Sequence, residues 1–320
     1  MQWDLLQTNL LSPPILFFLL GLLAVWVRSD LDIQEALEKG LSLYLMMAIG
    51  LQGGHKLMAA SPDANGIAAL GLGVVAAFVL PFATFAVLRR RLAPDDAAGV
   101  AASYGSVSAV TFVTAAALLI ASNIPYSGHM VAALALMESP ALVSSLMLVA
   151  HRGERRSFGT LLHEALTNGA VLLLIGSLLI GALSGDRGWA MVAPFVEAPF
   201  RGLLCIFLLS MGLRAGRRMP ELRTSGTFLT VFAVLAPLAQ AALGILLAWL
   251  LDLRTGDALL MAVLFGSASY IAVPAALPQL LPKANPAFYV PPALAVTFPF
   301  NIALGIPLYL AVIEALGFKP

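Results

Sequence analysis

Two short strings in this sequence have residue types that could do chemistry: Gly105-Ser106-Val107-Ser108 and Gly266-Ser267-Ala268-Ser269. Each lies midway along an apolar stretch, 98–121 and 256–280, long enough to be a membrane-crossing helix. Glycine has a poor helix propensity, and serine hydroxyls offer the backbone competing hydrogen bonds. Pro274 removes a further amide donor. Both stretches are therefore expected to break at their middles. A broken helix exposes new ends. Its N-terminal amides and positive dipole end suit a small anion. Its freed carbonyls, with Ser or Thr hydroxyls, suit a hard cation such as Na⁺. Close packing of small residues would explain one such string alone. Two in corresponding places favour a binding site.

Other polar residues stand in apolar surroundings. Glu138, in MESPAL, falls within the run 128–150. A carboxylate at the bilayer centre costs about 2.5–3.5 kcal/mol on insertion scales, so it needs a partner, a cavity or a proton. Two readings are open: a carboxylate that binds a cation or gates substrate, or a hydrogen-bonded structural Glu beside the Pro140 kink. Thr297 and Asn301 flank Pro299 in AVTFPFN. They either line the same cavity or satisfy backbone groups freed by the proline. Thr111 and Thr114 follow the first string and Tyr270 follows the second, all three as candidate cavity residues. Gln52 is a polar residue in the small-residue segment GLQGGHKL.

The elements that must position these groups follow from composition. Of 320 residues, 60% are hydrophobic and 11% charged, with mean hydropathy +0.92. Soluble domains carry about 25% charged residues, so the chain reads as an all-α integral membrane protein. The net charge of +1 gives no basic excess for nucleic acid. The lone Cys205 allows no internal disulfide, and the four histidines have no metal-ligand spacing. No cofactor is expected. Asp4 precedes the first apolar run and no Lys or Arg does, so this segment is expected to stay in the mature protein rather than act as a signal peptide.

Ten apolar runs lie near 12–27, 40–58, 66–88, 98–121, 128–150, 168–183, 199–219, 226–250, 256–280 and 287–313. Ten spans put thirteen Lys and Arg residues in one set of loops and five in the other. Positive residues stay cytoplasmic, so both termini are expected outside. An eight- or nine-span chain with one terminus inside is the alternative. Arg89-Arg90-Arg91 reads first as a topology determinant and otherwise as a lipid-headgroup or docking contact. The cytoplasmic loop 151–167 divides the chain into halves, 1–150 and 168–320.

The halves match at a shift of about 161 residues. Gly105, Ser106 and Ser108 fall on Gly266, Ser267 and Ser269. Gly50-Leu51 and Gly54 fall on Gly212-Leu213 and Gly216, and Ala133-Leu134-Ala135 falls on Ala293-Leu294-Ala295. With five spans per half, the second copy enters the membrane from the opposite side. Two inverted five-helix repeats are expected, with discontinuous spans four and nine crossing near the midplane. That is a recurrent secondary-transporter architecture.

The stretch 266–310, GSASYIAVPAALPQLLPKANPAFYV…VTFPFNIALGIPLYL, resembles the C-terminal repeat of the cyanobacterial sodium-dependent bicarbonate transporter family. MESPALVSS at 137–145 and GLQGG at 50–54 are similar to that family's first-half motifs. The resemblance implies core and gate subdomains each drawn from both repeats, and a homotrimer in the bacterial plasma membrane. It implies import of HCO₃⁻ coupled to Na⁺, and a small cytoplasmic PII-like regulatory protein as partner. It also puts bicarbonate beside the broken helices, at Gly105, Ser106, Ser108, Ser267 and Ser269, with Glu138, Thr297 and Asn301 nearby. Together with the residue reading, this gives Thr297 as a further substrate candidate and Glu138, Thr111, Asn301 and Tyr270 as candidates for the cation or the gate. Where the family motif carries Asp, this chain has Glu138. The expected function is Na⁺:HCO₃⁻ symport by alternating access. The alternatives are symport of another small or organic anion, and a bicarbonate-binding receptor without net transport. No paired catalytic groups point to an enzyme.

Overall fold

The computed structural model describes residues 11–59, 64–149 and 169–319. The connection at 151–167, with His151 and His163, lies outside the described residues, as does Asp4. Among the described residues all regular structure is helical: α1 Pro13–Trp26, α2 Glu35–Ala59, α3 Ala64–Leu88, α4 Pro94–Gly105, α5 Ala109–Ala121, α6 Gly128–Val149, α7 Gly169–Val196, α8 Phe200–Arg218, α9 Leu222–Leu250, α10 Thr255–Phe265, α11 Ala272–Leu280, and a last helical run, α12, Pro286–Ala315. Five stretches are long and apolar enough to cross a membrane: Ala64–Leu88, Pro94–Ala121, Val171–Val196, Phe200–Leu250 and Pro286–Ala315. Pro13–Trp26 and Thr255–Phe265 are shorter apolar helices.

Burial separates inner helices from outer ones. The most apolar window of Pro94–Ala121 is 78% buried, against 22% for that of Val171–Val196. The α4–α5 stretch is thus surrounded by protein. Meanwhile α7 turns Leu172, Leu179, Ile180 and Leu183 outward, and α1 does the same with Leu16, Phe17, Leu19, Leu20 and Leu23. Apolar side chains facing outward in these numbers suit a hydrocarbon solvent and would be a liability in water.

Glycines set the closest helix pairings. A Cβ at Gly50 would lie 2.6 Å from Ser177 Cβ, and one at Gly54 would overlap the Leu178 carbonyl. Gly181 meets the Leu51 backbone in the same way, so α2 and α7 touch backbone to backbone. The second such pair is α1 with α8. Gly21 abuts Leu209, Gly212 and Leu213; Gly212 abuts Phe18; Gly216 abuts Val25. Without a hydrophobic force between helices in lipid, this close approach is what makes van der Waals attraction effective.

The run expected at 168–183 ends structurally at Gly185, whose φ of +58° and ψ of −166° no other residue type adopts cheaply. Beyond it the chain folds back along α2. Trp189 stacks on His55 with ring centroids 4.8 Å apart, and the Phe195 carbonyl accepts from the Tyr44 hydroxyl at 2.6 Å. The last run is helical throughout despite its prolines. Two π-helical segments, Pro292–Thr297 and Asn301–Gly305, absorb the mismatch and flank Phe298–Phe300.

The two glycine pairings predict a sharp contrast. Gly54→Ala and Gly212→Ala should each destabilise the protein by about 1–3 kcal/mol, since overpacking forces helices apart. Gly71→Ala, where a Cβ meets nothing within 4 Å, should not. Thermal unfolding in detergent measures this; equal melting temperatures for all three variants would contradict the packing described.

Candidate functional site

Both sequence-marked helices break where their glycines stand. The first half-helix α4 stops at Gly105 and α5 begins at Ala109; α10 stops at Phe265 and α11 begins at Ala272. A Cβ at Gly105 would collide with the Pro81 ring of α3, and one at Gly266 would lie 2.8 Å from the Pro237 carbonyl oxygen of α9. Each break is therefore seated against a neighbouring helix at its proline.

The broken segments satisfy each other. The Ser269 amide donates to the Ser103 carbonyl at 2.8 Å. In the reverse direction the Ser108 amide donates to Ser267 Oγ at 2.9 Å, and that hydroxyl donates on to the Leu264 carbonyl at 3.4 Å. One exchange is direct and the other passes through a serine hydroxyl. These residues are buried in the protein, where an unsatisfied backbone group costs several kcal/mol.

Side chains finish the new helix ends. Ser108 Oγ accepts from the Thr111 amide at 3.2 Å and its hydroxyl at 2.9 Å, which makes Ser108 the N-cap of α5. Ser269 Oγ accepts from the Val273 amide at 3.2 Å. The Ser106 hydroxyl donates to the Glu138 carbonyl at 3.3 Å. Asn301 Nδ2 donates to the Gly266 carbonyl at 2.8 Å, and Asn301 Oδ1 accepts from the Tyr309 hydroxyl at 2.9 Å. The Thr297 hydroxyl donates to the Ala233 carbonyl at 2.6 Å and accepts from Tyr104 at 2.8 Å. Thus Asn301 satisfies a carbonyl freed by the break in another helix, whereas Thr297 serves a carbonyl of α9.

The structure brings together Gly105, Ser106, Ser108, Thr111, Ser267, Ser269, Tyr270, Thr297 and Asn301. Glu138 joins them through its backbone. Its carboxylate, on a residue 9% exposed, forms no hydrogen bond or salt bridge among the described residues. Two marked residues fall elsewhere. Thr114 donates to the Val110 carbonyl of its own helix at 2.9 Å, and Gln52 accepts from Tyr126 at 3.2 Å near the far end of α2. Three residues were not picked out from the sequence. Tyr104 is fully buried with its ring edge-on to Phe232, and its carbonyl accepts from Gln240 Nε2 at 3.0 Å. Ser103 Oγ and Gln240 Oε1 are buried without a partner among the described residues, as is the Tyr270 hydroxyl. Gln240, a lone amide in LAPLAQAALG, carried a readable signal. Ser103 and Tyr104 were hidden by standing just before the break.

The arrangement offers complementary surfaces. The N-termini of α5 and α11 carry a positive dipole end that favours an anion, with the Thr111 and Val273 amides already taken by Ser108 and Ser269. Ser and Tyr hydroxyls with the Gln240 amide oxygen give hard oxygen donors for a cation. Among the described residues no group of three His, Cys, Asp or Glu could hold a metal ion.

No curated protein matches the chain. A family model does, over residues 13–314, which takes in every helix from the first residue of α1 to the last turn of α12, both breaks included. By that match the chain belongs to the Na⁺-dependent bicarbonate transporter superfamily.

Proposed function

We propose that this chain imports HCO₃⁻ with Na⁺ by alternating access, both ions held where the two interrupted helices meet. Membership of the superfamily makes the chain a transporter rather than an enzyme, and a multi-pass protein of a lipid bilayer. The observation that carries the finer reading is the reciprocal bonding of the breaks, Ser269 amide to Ser103 carbonyl and Ser108 amide to Ser267 hydroxyl. It brings two helix N-termini and oxygens that are unpartnered among the described residues to one buried place.

The same proposal includes ten spans in two inverted repeats. Two parallels support it. Gly50 and Gly54 receive α7 as Gly212 and Gly216 receive α1, and these glycines correspond at a shift of 162. Gly105 and Gly266 each seat against a proline region of the preceding long helix. On this reading the pairs α1–α8 and α2–α7 form the gate, and the remaining helices form the core that carries the ions. The plasma membrane, external termini, a trimer and a PII-like regulator belong to the proposal through the resemblance.

Coupling follows from electrostatics. An inside-negative potential opposes anion entry by about 2.3 kcal/mol per charge per 100 mV. One co-moving Na⁺ cancels that cost, and the sodium gradient then drives uptake. Bound side by side, the ions also attract, so each should tighten the other's binding by the same factor.

Three outcomes are expected. Purified protein in sealed liposomes should accumulate ¹⁴C-bicarbonate when a sodium gradient is imposed and not when it is collapsed; accumulation of carboxylates instead, or saturable binding without accumulation, would overturn the reading. Ser106→Ala and Ser267→Ala remove hydroxyls from residues that are 1% and 0% exposed. A buried bond lost costs about 1–3 kcal/mol, so apparent affinity for bicarbonate should fall about 5- to 100-fold with assembly unchanged; wild-type uptake would remove these serines from the site. Glu138→Gln should shift the sodium concentration for half-maximal uptake, and an unaltered sodium curve would leave Glu138 a structural residue.

A further inference from the structure

Two aspartates away from the crossing are placed alike. Asp96 stands in the first turn of α4 and Asp257 in the first turn of α10, at a shift of 161. Asp96 Oδ1 accepts the amide of Asn285 at 2.8 Å, and Asp257 Oδ1 accepts the amide of Ser127 at 2.7 Å. Asn285 is the N-cap of α12, and Ser127 is the residue immediately before α6. Each aspartate therefore reaches from one half of the chain to the start of the fifth span in the other half.

These bonds bear on the crossing through rigid rods. α4 spans 12 residues and α10 spans 11, about 17 Å each at 1.5 Å per residue. Each rod is fixed at its outer end by the aspartate and at its inner end by the exchange at the break. α4 and α12 are thus tied twice, at Asp96–Asn285 and again at Tyr104–Thr297. Beside Asp257 the backbones come very close: a Cβ at Gly256 would overlap the Pro125 carbonyl. Lys56 of α2 lies within the field of Asp257, with its ammonium 3.4 Å from the centroid of the Tyr126 ring.

We infer that Asp96 and Asp257 are a matched pair of positioning residues, each staking one half-helix to the opposite half's fifth span and so holding the crossing in register. The inference rests on the reading of the crossing as the ion site. An acidic residue in a first turn also interacts with the helix dipole, but that effect needs only charge. The staking role needs an acceptor oxygen, which asparagine keeps and alanine does not.

Hydrogen–deuterium exchange on the full-length protein in detergent separates these roles. In Asp96→Ala and Asp257→Ala, amides of 105–111 and 266–273, far from the substituted side chains, should exchange about tenfold faster than in wild type, since a hydrogen bond to a charged group has been lost. Asp96→Asn and Asp257→Asn keep a neutral acceptor and so should exchange clearly more slowly than the alanine variants. In sodium-driven uptake the alanine variants should show raised KM for both ions, and the asparagine variants should recover it. Unchanged exchange at the crossing in the alanine variants would overturn the inference. So would asparagine variants that exchange as fast as alanine ones, and these decide the matter if an alanine variant does not fold. Because exchange is read without any transported solute, wild-type protein that fails to carry bicarbonate would end the transport reading and leave this result standing.

Discussion

Hydrocarbon offers no hydrogen-bond partner to an interrupted backbone, and the centre of this molecule follows from that. A helix that breaks inside lipid strands amides on one side of the gap and carbonyls on the other, at several kcal/mol each. One broken helix needs outside help; two laid across each other can exchange what each lacks. The bonds from Ser269 to Ser103, and from Ser108 through Ser267 to Leu264, are that exchange. The serines have structural work before any ligand arrives. Ser108 and Ser269 cap the following half-helices, and Asn301 reaches in from α12 to the Gly266 carbonyl. What stays unclaimed there is therefore informative: among the described residues Ser103 Oγ, Gln240 Oε1 and the Tyr270 hydroxyl are buried without a partner.

The chain uses two kinds of adhesion in different places. Where α1 meets α8 and α2 meets α7, glycines bring backbones into contact and the attraction is dispersion. Such contacts are short-ranged and lack the directional partners of a hydrogen bond. Around the crossing the contacts are directional, with Tyr104, Thr297, Gln240 and Asn301 each tied to a specific carbonyl or hydroxyl. Charge pairs are kept to helix ends. Arg214 bonds Glu38 and Arg217 bonds Asp32, which fastens α8 to the start of α2 and the loop before it. Arg217 and Asp32 remain in reach of water, whereas the Glu38 side chain is 10% exposed and needs Arg214 to offset its desolvation.

Much of this was legible in the sequence because its physics is local. A glycine with two serines in four residues weakens a helix locally, and 105–108 and 266–269 break as expected. Gly50, Gly54, Gly212 and Gly216 could be matched across the halves, but which helices they would bring together could not be read from the sequence. The rest depended on tertiary placement. Nothing in AVTFPFN says that Thr297 would serve a carbonyl of α9 while Asn301 serves one of α10. Gln52, a polar residue among small ones, bonds Tyr126 remote from the breaks, because a 25-residue helix carries its polar positions to very different depths. Ser103 and Tyr104 escaped notice since a residue in the last turn before a gap reads as ordinary helix.

Few charges in the interior and transport of charged solutes fit together. A fixed buried cation would bind an anion tightly, but it would also have to be neutralised whenever the site was empty, at the desolvation cost of an unpaired ion. Helix N-termini and hydroxyls are dipoles, so an empty crossing leaves no net charge behind. If both ions bind at the crossing, as proposed, they supply each other's counter-charge, and the loaded site is as neutral as the vacant one. The same framework can then pass through the membrane's low-dielectric region in both conditions. On this argument the single carboxylate near the crossing, Glu138, is the one group whose charge would distinguish the two conditions, and its backbone anchor to Ser106 ties that charge to the first break.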